Sequence, residues 1–291
     1  MNRSHSWTDY QDRLSRVTAY IHDHLAEELD LDQLAEVAHL SPYHWHRVYH
    51  AMNGETIAAT IRRLRLHRAS GYLANTQQPV AEVARLCGYP NVQSFTRAFG
   101  AAYGMGPTQY RAQGGHVVFR QGLAQATEAG YAVDIRFVPA VSLAGLPHRG
   151  GYMRIGKAFE TTFTHMAAQG LLREDTRWLA AYDDDPAAVP EAQLRSWAGL
   201  SLPAGASADA PLQPMTLGGC TCAVLRHRGP YATMGAAYQW LYGQWLVQSG
   251  HAALDQPVFE EYLNNPRDTA PADLLTDIYL PLQAATQGTA E

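Results

Sequence analysis

The segment HRGPYATMGAAY, His227 to Tyr238, repeats almost word for word an upstream segment, HRGGYMRIGKAF, His148 to Phe159. A chain that writes one phrase twice is built from two like units, and internal repetition narrows the available folds more than composition does. Each copy follows a β-like run, VSLAGLP (Val141–Pro147) and CAVLR (Cys222–Arg226). Gly150 and Gly229 stand where a strand must turn, and Pro230 is suited to open a helix. From Tyr152 and Tyr231 onward the apolar period becomes helical: Ile155, Phe159, Thr162 and Met166 in one copy, Met234, Tyr238, Leu241 and Trp245 in the other. Strand-like segments follow each helix: RWLAAYDD and AQLRSWAGLSL, then PVFEEYL and LLTDIYLPL. The expected fold of this part is α+β, with two pseudo-symmetric strand-helix-strand-strand repeats separated by PAGASADAPLQP (Pro203–Pro214). Helices would pack on one face of the joined sheets, with a cleft between the halves on the other, a natural small-molecule seam.

A second duplication lies earlier. AEVAHLS (Ala35–Ser41) is echoed by AEVARLC (Ala81–Cys87), then Arg47-Val48-Tyr49 by Arg97-Ala98-Phe99 and Gly54 by Gly104, with a turn four residues longer in the second copy. Each copy reads as helix, tight turn, helix. Ser41-Pro42 looks like an N-cap and first helical residue, and Asn91 like a cap for VQSFTRAF. Trp45, Val48, Tyr49, Phe95, Ala98 and Phe99 face inward; Tyr43, His46, Arg47, Gln93, Ser94 and Arg97 face outward. An all-α double helix-turn-helix region is the result, in which each second helix offers polar side chains to a DNA major groove. The joining stretch ETIAATIRRLRLHRASGYLA carries Ile57, Ile61, Leu64, Ala69 and Leu73 as a buried seam. Arg62, Arg63, Arg65 and Arg68 line its sides, Arg65 and Arg68 within reach of acids of the first helix.

These residues resemble the AraC/XylS family of transcription regulators, through LAEVAHLSPYHWHRVYHAMNGET, IRRLRLHRA and VAEVARLCGYPNVQSFTRAFGAAYGMGPTQYR. The resemblance implies a seven-helix domain with two recognition helices in successive major grooves. Arg47 and Arg97 are then the candidates for base edges, because a guanidinium can bind guanine bidentately. Tyr43, His46, Gln93 and Ser94 would add base or phosphate contacts, and Arg62, Arg63 and Arg111 would hold the phosphate backbone. The later phrases HRGPYATMGAAYQWLYGQWLVQSG, FEEYLNNP and LLTDIYLPL resemble the GyrI-like effector-binding family. That resemblance implies an aromatic cleft with an acid inside, binding cationic amphipathic compounds. Glu260 matches the acidic position in FEEYL, and strand alternation puts Tyr262 on its face. Asp277, on a neighbouring strand, is a second acid; Trp197, Tyr152 and Trp240 are the expected further rings, each adding cation–π attraction of roughly 0.5–2 kcal/mol.

The expected domains are 1–114 for DNA, 115–130 as linker and 131–291 for the small molecule. Charge agrees with that division. Residues 41–115 carry eight arginines against Glu55 and Glu82, whereas 116–291 carry eleven basic and seventeen acidic residues. A basic half suits a polyanion. No apolar run reaches membrane-spanning length, and the N-terminus lacks the apolar core of a secretion signal, so a cytoplasmic protein is expected. Cys87, Cys220 and Cys222 fit neither a disulfide framework nor a zinc site, and no cofactor or metal is expected. Expected partners are double-stranded DNA and a cationic or amphipathic effector, with RNA polymerase an open third and no membrane. The chain lacks G-x-S-x-G and H-E-x-x-H, so an enzyme is not the expectation. The alternatives are a small-molecule hydrolase using Glu260 and Tyr262 for proton transfer, or an adaptor binding a protein partner.

Overall fold

Helices occupy the first part of the computed structural model, which describes residues 3–40, 42–114 and 131–284. Among them run α1 (Arg3–Asp23), α2 (Leu31–Val37), α3 (Pro42–Asn53), α4 (Ile57–Asn75), α5 (Val80–Leu86), α6 (Val92–Tyr103) and α7 (Pro107–Gly114). Side-chain caps start three of them: Asp30 accepts from Asp32 N–H, Thr56 from Ala59 N–H, and Asn91 from Ser94 N–H. The expected cap Ser41 and the expected linker 115–130 lie outside the described residues. Helix α4 is the spine. Its first half packs with α1–α3 around Val17, Ile21, Leu34, Trp45, Tyr49 and Ile57. Its second half packs with α5–α7 around Leu73, Val83, Phe95, Phe99 and Tyr110. Among the described side chains, Arg65 and Arg68 meet no acid of α1. They donate to the backbone carbonyls of Leu25 and Glu27, and of His22, which the end of a helix leaves without intrahelical partners.

The helix-pair repeat is real in register but shifted from its obvious alignment. Leu34 and Ala35 on α2 and Ala38 just past its end are buried, and the matching buried set is Val83 and Ala84 on α5 with Cys87 just past its end. Both helices end on a left-handed residue, His39 (φ 52°) and Gly88 (φ 73°), followed by matching bonds, Leu40 N–H to Ala35 O and Tyr89 N–H to Ala84 O. Ala35 therefore corresponds to Ala84, not Ala81, and the second turn is longer by one residue rather than four.

The remaining residues form a strand-rich domain: β1 (Val133–Val138), β2 (Val141–Arg149), a 3-10 turn (Tyr152–Arg154), α8 (Gly156–Ala168), β3 (Trp178–Tyr182), β4 (Arg195–Ser201), β5 (Gln213–Leu217), β6 (Cys220–Arg228), a second 3-10 turn (Tyr231–Thr233), α9 (Met234–Trp240), β7 (Val258–Tyr262) and β8 (Leu275–Pro281). All eight strands join one antiparallel sheet in the order β1-β6-β8-β7-β3-β4-β2-β5. Each helix is thus preceded by two strands, one more than the sequence suggested. The extra strands β1 and β5 are the sheet edges, and each buries a single apolar residue, Val138 and Leu217, so neither shows a clear alternating pattern.

The sheet curls. One face carries α8 and α9. The other buries Leu143, Leu179, Trp197, Cys222, Phe259 and Tyr279 among themselves, with no helix residue in the cluster. Trp197 lies flat across its own sheet, and glycines make room for it. A Cβ on Gly199 would stand 2.2 Å from the indole, and one on Gly145 would stand 2.0 Å from the Ala198 carbonyl oxygen. Gly199→Ala is expected to destabilise this domain by about 2 kcal/mol through overpacking. That is a fall in melting temperature of about 4–8 °C, read by differential scanning calorimetry; an unchanged transition would remove the packing argument.

Candidate functional site

Helix α8 covers β2 and β4, and α9 packs on β6. The two central strands, β3 and β7, are left between them. On this strip Ala180 and Glu260 face each other in register. Alternation brings Tyr182 and Tyr262 to the same face, and α9 contributes Tyr238 from above. The cleft is therefore on the helix-bearing face, not the opposite one: helices flanking an uncovered strip create the hollow. It is part of a connected void of about 2100 Å³ that extends to α4.

Glu260 is 2% exposed. Tyr238 donates to its Oε1 and Tyr262 to its Oε2, both at 2.7 Å. Because the Tyr262 proton is committed to Glu260, Tyr182 must donate to the Tyr262 oxygen at 2.6 Å. Burial pushes the Glu260 carboxyl above the usual range, against the hydrogen bonds from Tyr238 and Tyr262 that favour its charged form. Burial also keeps Tyr182, Tyr238 and Tyr262 protonated, their hydroxyls raised further by the nearby Glu260 charge. Two acceptor positions on the carboxylate remain unused by these donors. Rings complete the walls: Tyr152 edge-on to Tyr182 (4.7 Å between centroids), Phe159 to Tyr262 (5.3 Å) and Tyr231 to Tyr262 (5.3 Å). The arrangement is a single carboxylate in a cage of neutral tyrosines, chemistry suited to a desolvated organic cation.

Of the expected cleft residues, the fold brings together Glu260, Tyr262 and Tyr152. Asp277 is on the reverse face, in register with Glu261, and forms a bidentate pair with Arg226 at 2.7 and 2.8 Å. Trp197 is on that reverse face too. Trp240 turns away from the cleft and meets Tyr131 edge-on at 5.4 Å. Sequence reasoning left Tyr238 to the core and overlooked Tyr182 and Tyr231. Spacing held the missing signal: Tyr182 stands two residues after Ala180 as Tyr262 does after Glu260, and Tyr231 and Tyr238 are two helical turns apart.

On the helical domain, Arg47, Arg62, Gln93 and Arg97 are exposed. Ser94 is committed to the start of α6, its hydroxyl donating to Asn91 O. The side chains of Tyr43 and His46 lie outside the described ones. Arg63 is not available to a phosphate: it pairs with Glu55 through Nε–Oε2 (3.3 Å) and Nη2–Oε1 (2.5 Å). Arg111 is turned to the Gln78 carbonyl.

Arg63 belongs to a network that ties the domains. Glu160 of α8 accepts from His22 Nε2 at 2.9 Å and lies 3.8 Å from Arg63 and 4.0 Å from Arg267. Arg267 also sits 3.7 Å from Glu55 and donates to Asn53 O at 3.2 Å. Burial acts to raise the Glu160 carboxyl, but the His22 hydrogen bond and the charges of His22, Arg63 and Arg267 outweigh it and hold it below the usual range.

A family model described as "GyrI-like small molecule binding domain" matches residues 131–283, more than half of the chain. The chain belongs to the GyrI-like family. A model described as "Helix-turn-helix domain" matches residues 34–113, so this GyrI-like chain carries an AraC-type helix-turn-helix region ahead of its small-molecule domain. The AdaA bifunctional transcriptional activator/DNA repair enzyme of Bacillus subtilis is 34% identical over 33% of this chain and 45% of its own length. The probable transcriptional regulator LumQ of Photobacterium leiognathi is 35% identical over 32% and 37%. The chain thus spans less than half the length of these curated relatives. Among solved structures, the EcmrR C-terminal domain aligns at TM-score 0.47 and 18% identity, over 53% of this chain and 98% of its own. The AdpA DNA-binding domain in complex with a target DNA aligns at TM-score 0.34 and 25% identity, over 40% and 96%. No helix among the described residues is long and apolar enough to cross a membrane.

Proposed function

We propose that this GyrI-like chain is a ligand-responsive transcription regulator. The helical region, about residues 1–114, grips DNA, and the strand-rich domain, from about residue 131, takes a cationic or amphipathic aromatic effector. The carrying observation is Glu260: one buried acid, hydrogen-bonded only to tyrosine hydroxyls among its described partners, in a ring-walled hollow. A buried carboxylate without a protein cation is a costly arrangement, and a cationic guest relieves it. The domain is read as two pseudo-symmetric halves. Supporting this, the strand order is unchanged when the halves are exchanged, with β3 and β7 at the centre. Helices α3 and α6 are the proposed recognition helices, lying in successive major grooves, with Arg47 and Arg97 reading base edges and Arg62 on phosphate. A regulator of this kind works beside the genome, in the cytoplasm, with RNA polymerase as a further partner. Hydrolysis of the guest is a second reading, favoured by the raised Glu260 carboxyl and its Tyr262–Tyr182 relay.

The test is a mobility shift on the DNA upstream of its own gene, with and without a panel of cationic aromatics. Arg97→Ala and Arg47→Ala are each expected to cost about 1–3 kcal/mol on specific DNA and to relax selectivity at one position. Arg62→Ala is expected to weaken binding to all sequences and to flatten the salt dependence by about one ion. Unchanged specific affinity in both Arg47→Ala and Arg97→Ala would reject the recognition helices. Turnover of a panel compound, lost in Glu260→Gln, would promote the hydrolase.

A further inference from the structure

The duplicated phrase makes two corners, and both bear on one stretch of α4. At the first corner, Tyr152–Arg154, Met153 lies against Gly71, its Cγ and Cε 3.3 Å from where a Cβ on Gly71 would stand. The Met153 carbonyl accepts from His67 Nε2 at 3.0 Å. At the second, Tyr231–Thr233, Ala232 joins the same buried cluster as Leu73, Phe95 and Phe99, and the Tyr231 ring meets His67 edge-on at 5.9 Å. Each corner also carries a wall of the cleft, since Tyr152 packs on Tyr182 and Tyr231 on Tyr262. Helix α4 in turn is shared by both helix pairs. The loop after β7 reinforces the tie, with Arg267 on the end of α3 and Pro271–Asp273 beside α6.

We propose that the paired corners form a clasp on α4, so that a guest in the tyrosine cage changes DNA affinity by altering how the two corners seat on His67 and Gly71. The proposal rests on the effector reading of the cage and adds its route of regulation. The physical basis is packing with little slack. Met153 fills the space where a Gly71 side chain would begin, so a corner displaced by a guest must either leave α4 or carry it along. A guest can shift this equilibrium only by its differential affinity for the two seatings, and the coupling must be reciprocal.

The experiment measures that reciprocity with tetraphenylphosphonium as the probe cation and the upstream DNA as the duplex, using the full chain. In the wild type, saturating tetraphenylphosphonium is expected to change DNA affinity on the order of 10-fold, and saturating DNA to change tetraphenylphosphonium affinity by the same factor. Met153→Ala removes the knob, and Gly71→Leu pushes the first corner off α4. In both, the coupling factor should fall to about 1, while each single-ligand affinity stays within about 3-fold of wild type. Full coupling in Met153→Ala and in any folded Gly71→Leu would overturn the clasp. So would a wild type that binds both partners independently, and that result would leave the cage and the recognition helices standing. A wild type that fails either single titration brings down the function reading itself, and the clasp with it.

Discussion

Glu260→Gln is expected to lower tetraphenylphosphonium affinity on the order of 30- to 1000-fold and, without ligand, to raise the melting temperature of the protein near neutral pH. The two effects have one origin. Removing a buried charge from an ion–ion contact costs about 2–4 kcal/mol of binding, whereas the empty cage already holds that charge at a cost. Glutamine keeps the shape and one of the two acceptor oxygens, its amide nitrogen donating to the other tyrosine hydroxyl instead, while the buried charge is gone. The gain should be about 1 kcal/mol, or roughly 2–4 °C. The pH sign follows from the raised carboxyl. Its folded form binds a proton more readily than the unfolded chain does, so its contribution to stability is fully present below the unfolded value of about 4.3 and is lost as pH rises through the folded one. Cation binding should strengthen over that same rise. Calorimetric titration across pH checks both; a cation affinity indifferent to Glu260→Gln would place the guest elsewhere.

Glu160→Gln is expected to destabilise the joined domains by about 3–5 kcal/mol, the range for breaking a buried ion network from one side. Here the pH dependence has the opposite sense. The Glu160 carboxyl is held low, so its contribution is present above the unfolded value of about 4.3 and lost as pH falls through the depressed folded value. Acid should therefore loosen the contact between α8 and α1–α4 in the wild type. The measurement is chemical denaturation of wild type and variant at pH 7 and across the acid range. Equal midpoints at pH 7 would show the network to be dispensable.

The α4 seam was legible in two parts: Ile57, Ile61 and Leu64 share one helical face, Ala69 and Leu73 share another about 130° further round, and all five are buried, the first set against α1–α3 and the second against α5–α7. The helix-pair alignment failed because identical AEVA tetrapeptides sit on different turns of α2 and α5. What fixes equivalence is the small residue facing the core and the left-handed residue at the end, His39 or Gly88. Glu260 and Tyr262 were readable from alternation within one strand. Asp277 was not, because adjacency of strands does not give register, and one residue of offset exchanges the faces. In β4 both faces are buried, so Ser-Trp-Ala-Gly-Leu shows no alternation to place Trp197. On α9, Tyr238 and Trp240 are separated by two residues and so diverge by about 200° around the helix. Composition alone does not say which of them looks inward.

Finally, the leading strands β1 and β5 do not pair within their own halves; β1 lies against β6, and β5 against β2. This is an exchange of arms. Severed between β4 and β5, either piece would keep a strand whose hydrogen-bonding mate had gone with the other piece, together with a bare edge waiting for one. The crossed arms thus keep the two pieces from standing apart, and the seam between those pieces is the one where Glu260 stands opposite Ala180.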